Sequence, residues 1–225
     1  MNRIVQGVLR FKNLVFPQHR ETFVKLRHGQ KPEALFITCA DSRVEPTLVT
    51  QSKPGDLFIC RNAGNIVPPY GEVIGGVSAT IEYAVLALGV RDIILCGHSD
   101  CGAMKAVLHP EHVAEMPSVA GWLRFADSVR SSVKENYRHL QGEDLLRAAI
   151  EENVLVQMDH LRTHPSVAAR VRKGAVKLHG WYYDIGTGEV TAYDPSQNRF
   201  VPLREFLRTA PTSQEQTEAE PSLTA

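Results

Sequence analysis

Leu35-Phe36-Ile37-Thr38-Cys39-Ala40-Asp41-Ser42-Arg43 is an apolar run that ends abruptly in a thiol, a carboxylate and a guanidinium. The run is uncharged, bulky and too short for a helix, so it reads as a strand buried on both faces. Asp92-Ile93-Ile94-Leu95-Cys96 repeats the arrangement and leads into Gly97-His98-Ser99-Asp100-Cys101. Leu57 to Arg61 is a third run of the same kind. The spacing between the runs leaves room for crossover helices, which is the pattern of a parallel sheet. Ligands of open α/β sheets bind beyond the carboxyl ends of the strands, and both polar endings fall in that place.

Gly75 to Leu88 is apolar nearly all round, with Val77, Ile81, Ala84, Val85 and Leu88 dominating one face. It predicts a buried crossover helix that stops at Gly89. A helix over 102–108 should start directly behind Cys101 and end before Pro110. Further helices are expected over 119–137, 143–161 and 167–172. Residues 175–183 and 189–193, joined by Gly186-Thr187-Gly188, read as an antiparallel hairpin on the sheet edge. Ile4, Val8, Phe11 and Val15 predict an amphipathic helix up to Pro17. Its apolar face needs cover from its own chain or from a second subunit. The expected fold is α/β: a mainly parallel central sheet of about four strands with an antiparallel edge strand, flanked by helices. One domain is expected over 1–208, with an N-terminal helical arm over 1–29. Ser, Thr, Gln, Glu and Pro dominate 209–225, which is expected to be a disordered tail.

With 43% hydrophobic and 22% charged residues, a chain of 225 residues can bury a full core. Lys+Arg and Asp+Glu both count 25, so no net charge recommends nucleic acid or an anionic membrane as a partner. The longest apolar stretch, 77–90, contains Glu82 and is too short to span a bilayer. Met1-Asn2-Arg3-Ile4 lacks the pattern of a secretory signal. Four cysteines in that context imply reduced thiols and a cytoplasmic setting, with Cys60 and Cys96 as core residues.

Cys39, His98 and Cys101 make up a Cys₂His set, three zinc ligands where a closed structural site has four. An open fourth position is where a metal lowers the pKa of a water, which points to a zinc hydrolase or hydratase. Cys101 falls at a predicted helix N-terminus, where the dipole favours the thiolate. His98 and Cys101 form H-x-x-C rather than a redox C-x-x-C, and the zinc-deaminase pattern is absent. The other histidines lack metal spacing and are expected at the surface. Asp41 beside a zinc-bound water can accept that water's proton, and Arg43 can hold the carboxylate ionised. The plainer reading of Asp41 and Arg43 is an ion pair that stabilises a turn.

The chain resembles the β-class carbonic anhydrases. The likeness rests on Cys39-Ala-Asp41-Ser-Arg43, Arg61-Asn62-Ala63-Gly64-Asn65 with Val67-Pro68-Pro69-Tyr70, Ile81-Glu82-Tyr83-Ala84 and Gly97-His98-Ser-Asp-Cys101-Gly102. It implies zinc on Cys39, His98 and Cys101, with Asp41 and Arg43 as catalytic dyad. By the same resemblance, zinc hydroxide attacks carbon dioxide, bicarbonate leaves and a proton passes to buffer. It also implies a substrate pocket lined by Gln30, Phe58, Ala63 and Tyr83, with the Gly102 amide facing the substrate. Phe36 stands where the bicarbonate-inhibited type carries a tryptophan. The open type is therefore expected, with water rather than Asp41 on zinc near neutral pH; Asp41 would be a ligand only in a closed form. The resemblance further implies a homodimer or dimer of dimers with sites at the subunit interface, the arm lying on its partner. Three alternatives stand beside this reading: a zinc hydrolase of carbon disulfide or carbonyl sulfide, a non-enzymatic zinc-stabilised assembly protein, and a phosphate-binding module using 97–102. His109 and His112 are candidates for the proton shuttle by proximity alone.

Overall fold

The computed structural model describes residues 1–209, and the expected tail from 210 onward lies outside them. The chain opens with helix α1 (Asn2–Arg10), runs through a π turn at Phe11–Val15 and a 3₁₀ turn at Phe16–His19, and continues as α2 (Arg20–Leu26). The helical course thus passes Pro17 instead of ending there. Pro17 sits near the start of the 3₁₀ turn, where a missing N–H costs nothing. Phe11, Phe16 and Phe23 tie the two helices together, with ring centroids 5.4–6.2 Å apart.

Strand β1 (Ala34–Cys39) follows, then the short helix α3 (Pro46–Thr50), strand β2 (Leu57–Asn62), helix α4 (Gly76–Leu86) and strand β3 (Asp92–His98). Helices α5 (Gly102–Leu108), α6 (Pro117–Leu123), α7 (Asp127–Asn136), α8 (Gly142–Thr163) and α9 (Pro165–Arg172) lead to strand β4 (Lys177–Tyr183). Strands β5 (Val190–Asp194) and β6 (Arg199–Pro202) and helix α10 (Leu203–Thr209) complete it, so Thr209 closes a helix rather than opening the tail. The sheet has six strands in the order β2-β1-β3-β4-β5-β6. The first four are parallel, and β5 and β6 add antiparallel strands at one edge. Strand β6 is the one the sequence did not announce. The expected helix over 119–137 is two helices joined by a 3₁₀ turn at Arg124–Ala126, which sends Leu123, Phe125 and Ala126 inward together.

The crossovers place the helices unevenly. Connections β2→β3 and β3→β4 move in one direction across the sheet, whereas β1→β2 moves in the other. A right-handed rule then puts α4 to α9 on one face and leaves only the five-residue α3 for the other. The clusters agree. Leu35, Ile37, Ile93 and Leu95 pack with Ile81 and Val85 of α4, Val154 and Leu161 of α8 and Val167 of α9. On the opposite face Ala34, Phe36, Ile94, Cys96, Leu57, Ile59, Trp181 and Tyr183 form a cluster of strand residues alone. Helix α8 lies hard against β3: a Cβ on Gly97 would stand 2.7 Å from Ile150 Cγ2, so only glycine fits beside His98.

Two expectations about exposure are corrected. Helix α4 is only half buried, with Tyr83 and Leu86 each about half exposed, because the side carrying Ile81, Ala84 and Val85 is the one packed against the sheet and α9. His164 is buried rather than at the surface, since Nε2 bonds the Pro68 carbonyl oxygen at 3.0 Å. Cys60 and Cys96 are core residues as read, and burial pushes the Cys96 thiol up to about 12.

Candidate active site

Cys39 ends β1 and His98 ends β3, its neighbour in the sheet, so both side chains sit at one rim. Cys101 follows as the N-cap residue of α5. The ligand atoms of the three residues lie within 4.8 Å of one another, and all three residues are buried. His98 Nδ1 donates to the Ser99 carbonyl oxygen at 2.9 Å, which fixes the tautomer and leaves a lone pair on Nε2. Nε2 is buried without a hydrogen-bond partner. An orphaned imidazole nitrogen beside two sulfurs is costly unless a cation takes its lone pair, and thiolate with imidazole is the donor set zinc selects. The residues fit zinc. Cys101 bonds Cys39, and that contact, with the Gly64 N–H, brings the Cys39 thiol down to about 4 against its burial. The same bond, with burial, pushes Cys101 up, while the amides of Ala103 and Met104 at the start of α5 act in the opposite sense.

The next shell of contacts is built on Arg43. Its Nε donates to Asp41 Oδ1 at 3.0 Å and its NH2 to Asp41 Oδ2 at 2.8 Å. The Arg43 backbone N–H adds a third bond to Oδ1 at 2.9 Å. This fork holds the Asp41 carboxyl far below its ordinary range. Oδ2 stands 3.9 Å from His98 Nε2, so the carboxylate faces the ligand set. Arg43 NH1 in turn donates to Asp100 Oδ2 at 2.8 Å, and Asp100 also pairs with Lys105. Asp100 has φ +57°, a left-handed conformation that Asp tolerates. Arg61 pins the turn from behind, donating to the carbonyl oxygens of Cys39, Asp41 and Val44 at 3.1, 2.6 and 2.7 Å. Sequence reasoning quoted Arg61 and Asp100 within motifs and gave neither a role. A cavity of about 500 Å³ adjoins this side, lined by Arg43, Ser99, Asp100, Arg147, Tyr182 and Asp184 among others.

The remaining predicted residues are scattered along the rim. Phe58 on β2 and Tyr83 on α4 touch, with ring centroids 6.0 Å apart. Ala63 is exposed in the 3₁₀ turn after β2, and Gly102 is exposed at the first position of α5. Gln30 is exposed between α2 and β1. The structure brings together the three ligands with the two dyad residues, and Phe58 with Tyr83. His109 and His112 stack on one another at the surface, and His109 pairs with Glu111. No described helix is long and apolar enough to cross a membrane. A separate apolar cavity of about 920 Å³ beside α8, β4 and α10 contains none of the residues above.

Residues 34–190 match the family described as "Carbonic anhydrase". The solved beta-carbonic anhydrase CcaA superposes with a TM-score of 0.88 at 48% identity, over 90% of this chain and 91% of that one. The chain belongs to the β-class carbonic anhydrases. Among relatives of this class, the carbonic anhydrase of Synechocystis sp. is 49% identical over 89% of this chain and 74% of its own. That of Pseudomonas aeruginosa is 48% identical over 91% of this chain and 93% of its own. A β-carbonic anhydrase of Sordaria macrospora, described as tetrameric, superposes with a TM-score of 0.77 at 30% identity, over 85% of this chain and 95% of that one. As a carbonic anhydrase the chain is a zinc enzyme that interconverts carbon dioxide and bicarbonate, which sets aside the phosphate-binding and non-enzymatic readings.

Proposed function

We propose that, in the reversible hydration of carbon dioxide, Cys39, His98 and Cys101 hold the zinc while Asp41 and Arg43 orient the attacking water. Bound there, zinc supplies a Lewis acid that brings the pKa of a water toward neutrality. Asp41 stays ionised because Arg43 occupies both of its oxygens from one side. Its Oδ2 keeps a lone pair on the side of His98 Nε2, where it would accept a hydrogen bond from the water and turn the oxygen's lone pair toward the carbon of the substrate. Asp41 accepts without taking the proton over, since its carboxyl is held so acidic; the proton released in each turnover passes to buffer. The observation that carries this reading is the Arg43 fork, aimed so that Asp41 faces an unpaired, buried His98 nitrogen.

Phe58, Tyr83, Ala63 and the Gly102 amide line the substrate side in this reading, and Gln30 reaches the site of a second subunit. A homodimer or dimer of dimers is supported by two exposed apolar features. Ile4, Val8 and Leu14 of the arm are 67%, 62% and 59% exposed, and α4 shows Tyr83 and Leu86. Residues 1–208 are read as one domain whose arm, 1–29, lies on the partner. Four free cysteines, all buried, suit a cytoplasmic setting.

Stopped-flow hydration of carbon dioxide by zinc-loaded protein tests the roles. Fast turnover is expected at about pH 7, with Asp41→Ala losing about 100-fold or more in kcat at unchanged zinc content. Turnover confined to above about pH 8 would instead mean that Asp41 sits on the metal at neutral pH. An Asp41→Ala enzyme as fast as the parent would remove the dyad.

A further inference from the structure

One segment beside the ligands is held more firmly than the backbone alone requires. Residues 62–67 run from the end of β2 past the site. The Gly64 N–H donates to Cys39 Sγ at 3.4 Å. That N–H belongs to the Ala63–Gly64 peptide, whose carbonyl oxygen, on Ala63, accepts from Trp122 Nε1 of α6 at 2.8 Å. The next carbonyl oxygen, on Gly64, accepts from Asn153 Nδ2 of α8 at 3.0 Å. Asn153 Oδ1 accepts from Gln157 Nε2 at 3.1 Å, Gln157 Oε1 accepts from the Val67 N–H at 2.9 Å, and Gln157 Nε2 also reaches the Phe125 carbonyl oxygen. Asn153 and Gln157 are wholly buried.

Burying two amides in the core face of a helix is unfavourable unless every polar atom is satisfied. Here they are satisfied by the backbone of this one loop and its surroundings. Rotation of the Ala63–Gly64 peptide about its flanking bonds would break the Trp122 bond and the Gly64–sulfur bond together. The peptide dipole is therefore fixed with its positive end toward the Cys39 sulfur.

We propose that Trp122 and Asn153 are positioning residues that aim the Gly64 N–H at Cys39 and so tune the metal–thiolate bond. An N–H donated to a thiolate draws electron density from sulfur, weakens it as a donor and leaves the metal a stronger Lewis acid. Two thiolates make zinc a weak Lewis acid, so this correction acts where the site needs it. The proposal rests on Cys39 being a zinc ligand.

Cobalt(II) in place of zinc reads the bond directly, because the sulfur-to-cobalt charge-transfer band moves to lower energy when a thiolate loses a hydrogen bond. Trp122→Phe keeps an aromatic ring against Phe125 and removes the donor. It should load cobalt fully, show the band at lower energy, and lose about tenfold in kcat with KM unchanged. Asn153→Ala should move the band in the same direction, and stands in should Trp122→Phe fail to fold. A fully loaded variant with the band at its parental energy would overturn the proposal while leaving Cys39 as a ligand. Cys39→Ser tests that premise separately: it should weaken the band in an otherwise parental protein. An unchanged band there would remove Cys39 from the metal, and the proposal with it.

Discussion

Gly64→Ala separates two costs that meet at one residue of the site. Gly64 has φ +78°, and a Cβ there would meet the Ala103 Cβ at 2.9 Å and Met104 Cε at 3.3 Å. Left-handed backbone costs an L-residue about 1–2 kcal/mol. The stiffer unfolded chain returns about 0.4–1 kcal/mol of that. Ala103 has no rotamer with which to yield, so the clash must move the start of α5, at about 1–3 kcal/mol. The sum is about 1–5 kcal/mol. Gly89 supplies the control, with φ +67° and nothing within 4 Å of its Cβ direction, so Gly89→Ala carries the backbone cost alone. Urea unfolding at fixed zinc concentration measures both variants, and a chelator competition measures zinc affinity. Gly64→Ala should be less stable than Gly89→Ala by about 1–3 kcal/mol. It should also bind zinc more weakly, because Ala103 lies two positions beyond Cys101 in the same turn. Equal destabilisation with parental zinc affinity would refute the reasoning, since the loop would then be yielding without disturbing α5.

Three further outcomes are expected. Gln157→Leu leaves the Val67 N–H and Phe125 carbonyl unpaired in the core and should cost about 2–4 kcal/mol in urea unfolding. His164 is held below its ordinary value by burial, so the folded state binds fewer protons than the unfolded one. The stability it contributes is complete above the ordinary histidine pKa of about 6.5 and drains as pH falls through the lower folded value. The urea midpoint should therefore drop on acidification, and less steeply in His164→Gln. Ile4→Glu with Val8→Glu places charge on the exposed face of the arm and should shift the protein toward monomer in light scattering, with hydration activity falling alongside.

The fold and the metal ligands share the reason they can be read from sequence. Each rests on a contiguous pattern. Short apolar runs of about four to six residues mark β1, β2 and β3, and the chemistry follows at once at the ends of β1 and β3. The ladder then converts strand ends into neighbours without any residue-level foresight: Thr38 pairs with Cys96, so Cys39 and His98 must share a rim. Strand β6 lacked such a signal, because Arg199-Phe200-Val201-Pro202 is short, charged and ends in proline. Its pairing with β5 is enforced by the hairpin. Helix α4 misled: apolar nearly all round implied buried, yet Tyr83 and Leu86 stay half exposed. The apolar face of the arm is exposed as well, and the sequence leaves its cover open between the chain itself and a second subunit.

What escaped was each contact made across the sequence. Asp100 holds Arg43 across 57 positions, Trp122 holds Ala63 across 59 and Asn153 holds Gly64 across 89. No local period announces such pairs. One of them nevertheless left a trace. In α8 the buried stripe runs through Ala149, Ile150, Asn153, Val154, Gln157, Met158 and Leu161, the spacing of a single helical face. Two amides one turn apart within that stripe have no place in a core unless backbone comes to meet them. Had the stripe been projected from the sequence, Asn153 and Gln157 would have stood out as residues with partners to find. The chain segments free to supply such partners are loops rather than strands, whose own polar groups are already paired. The loop that does supply them is the one whose amide reaches Cys39, so the hidden part of the site is attached to its legible part through a single peptide.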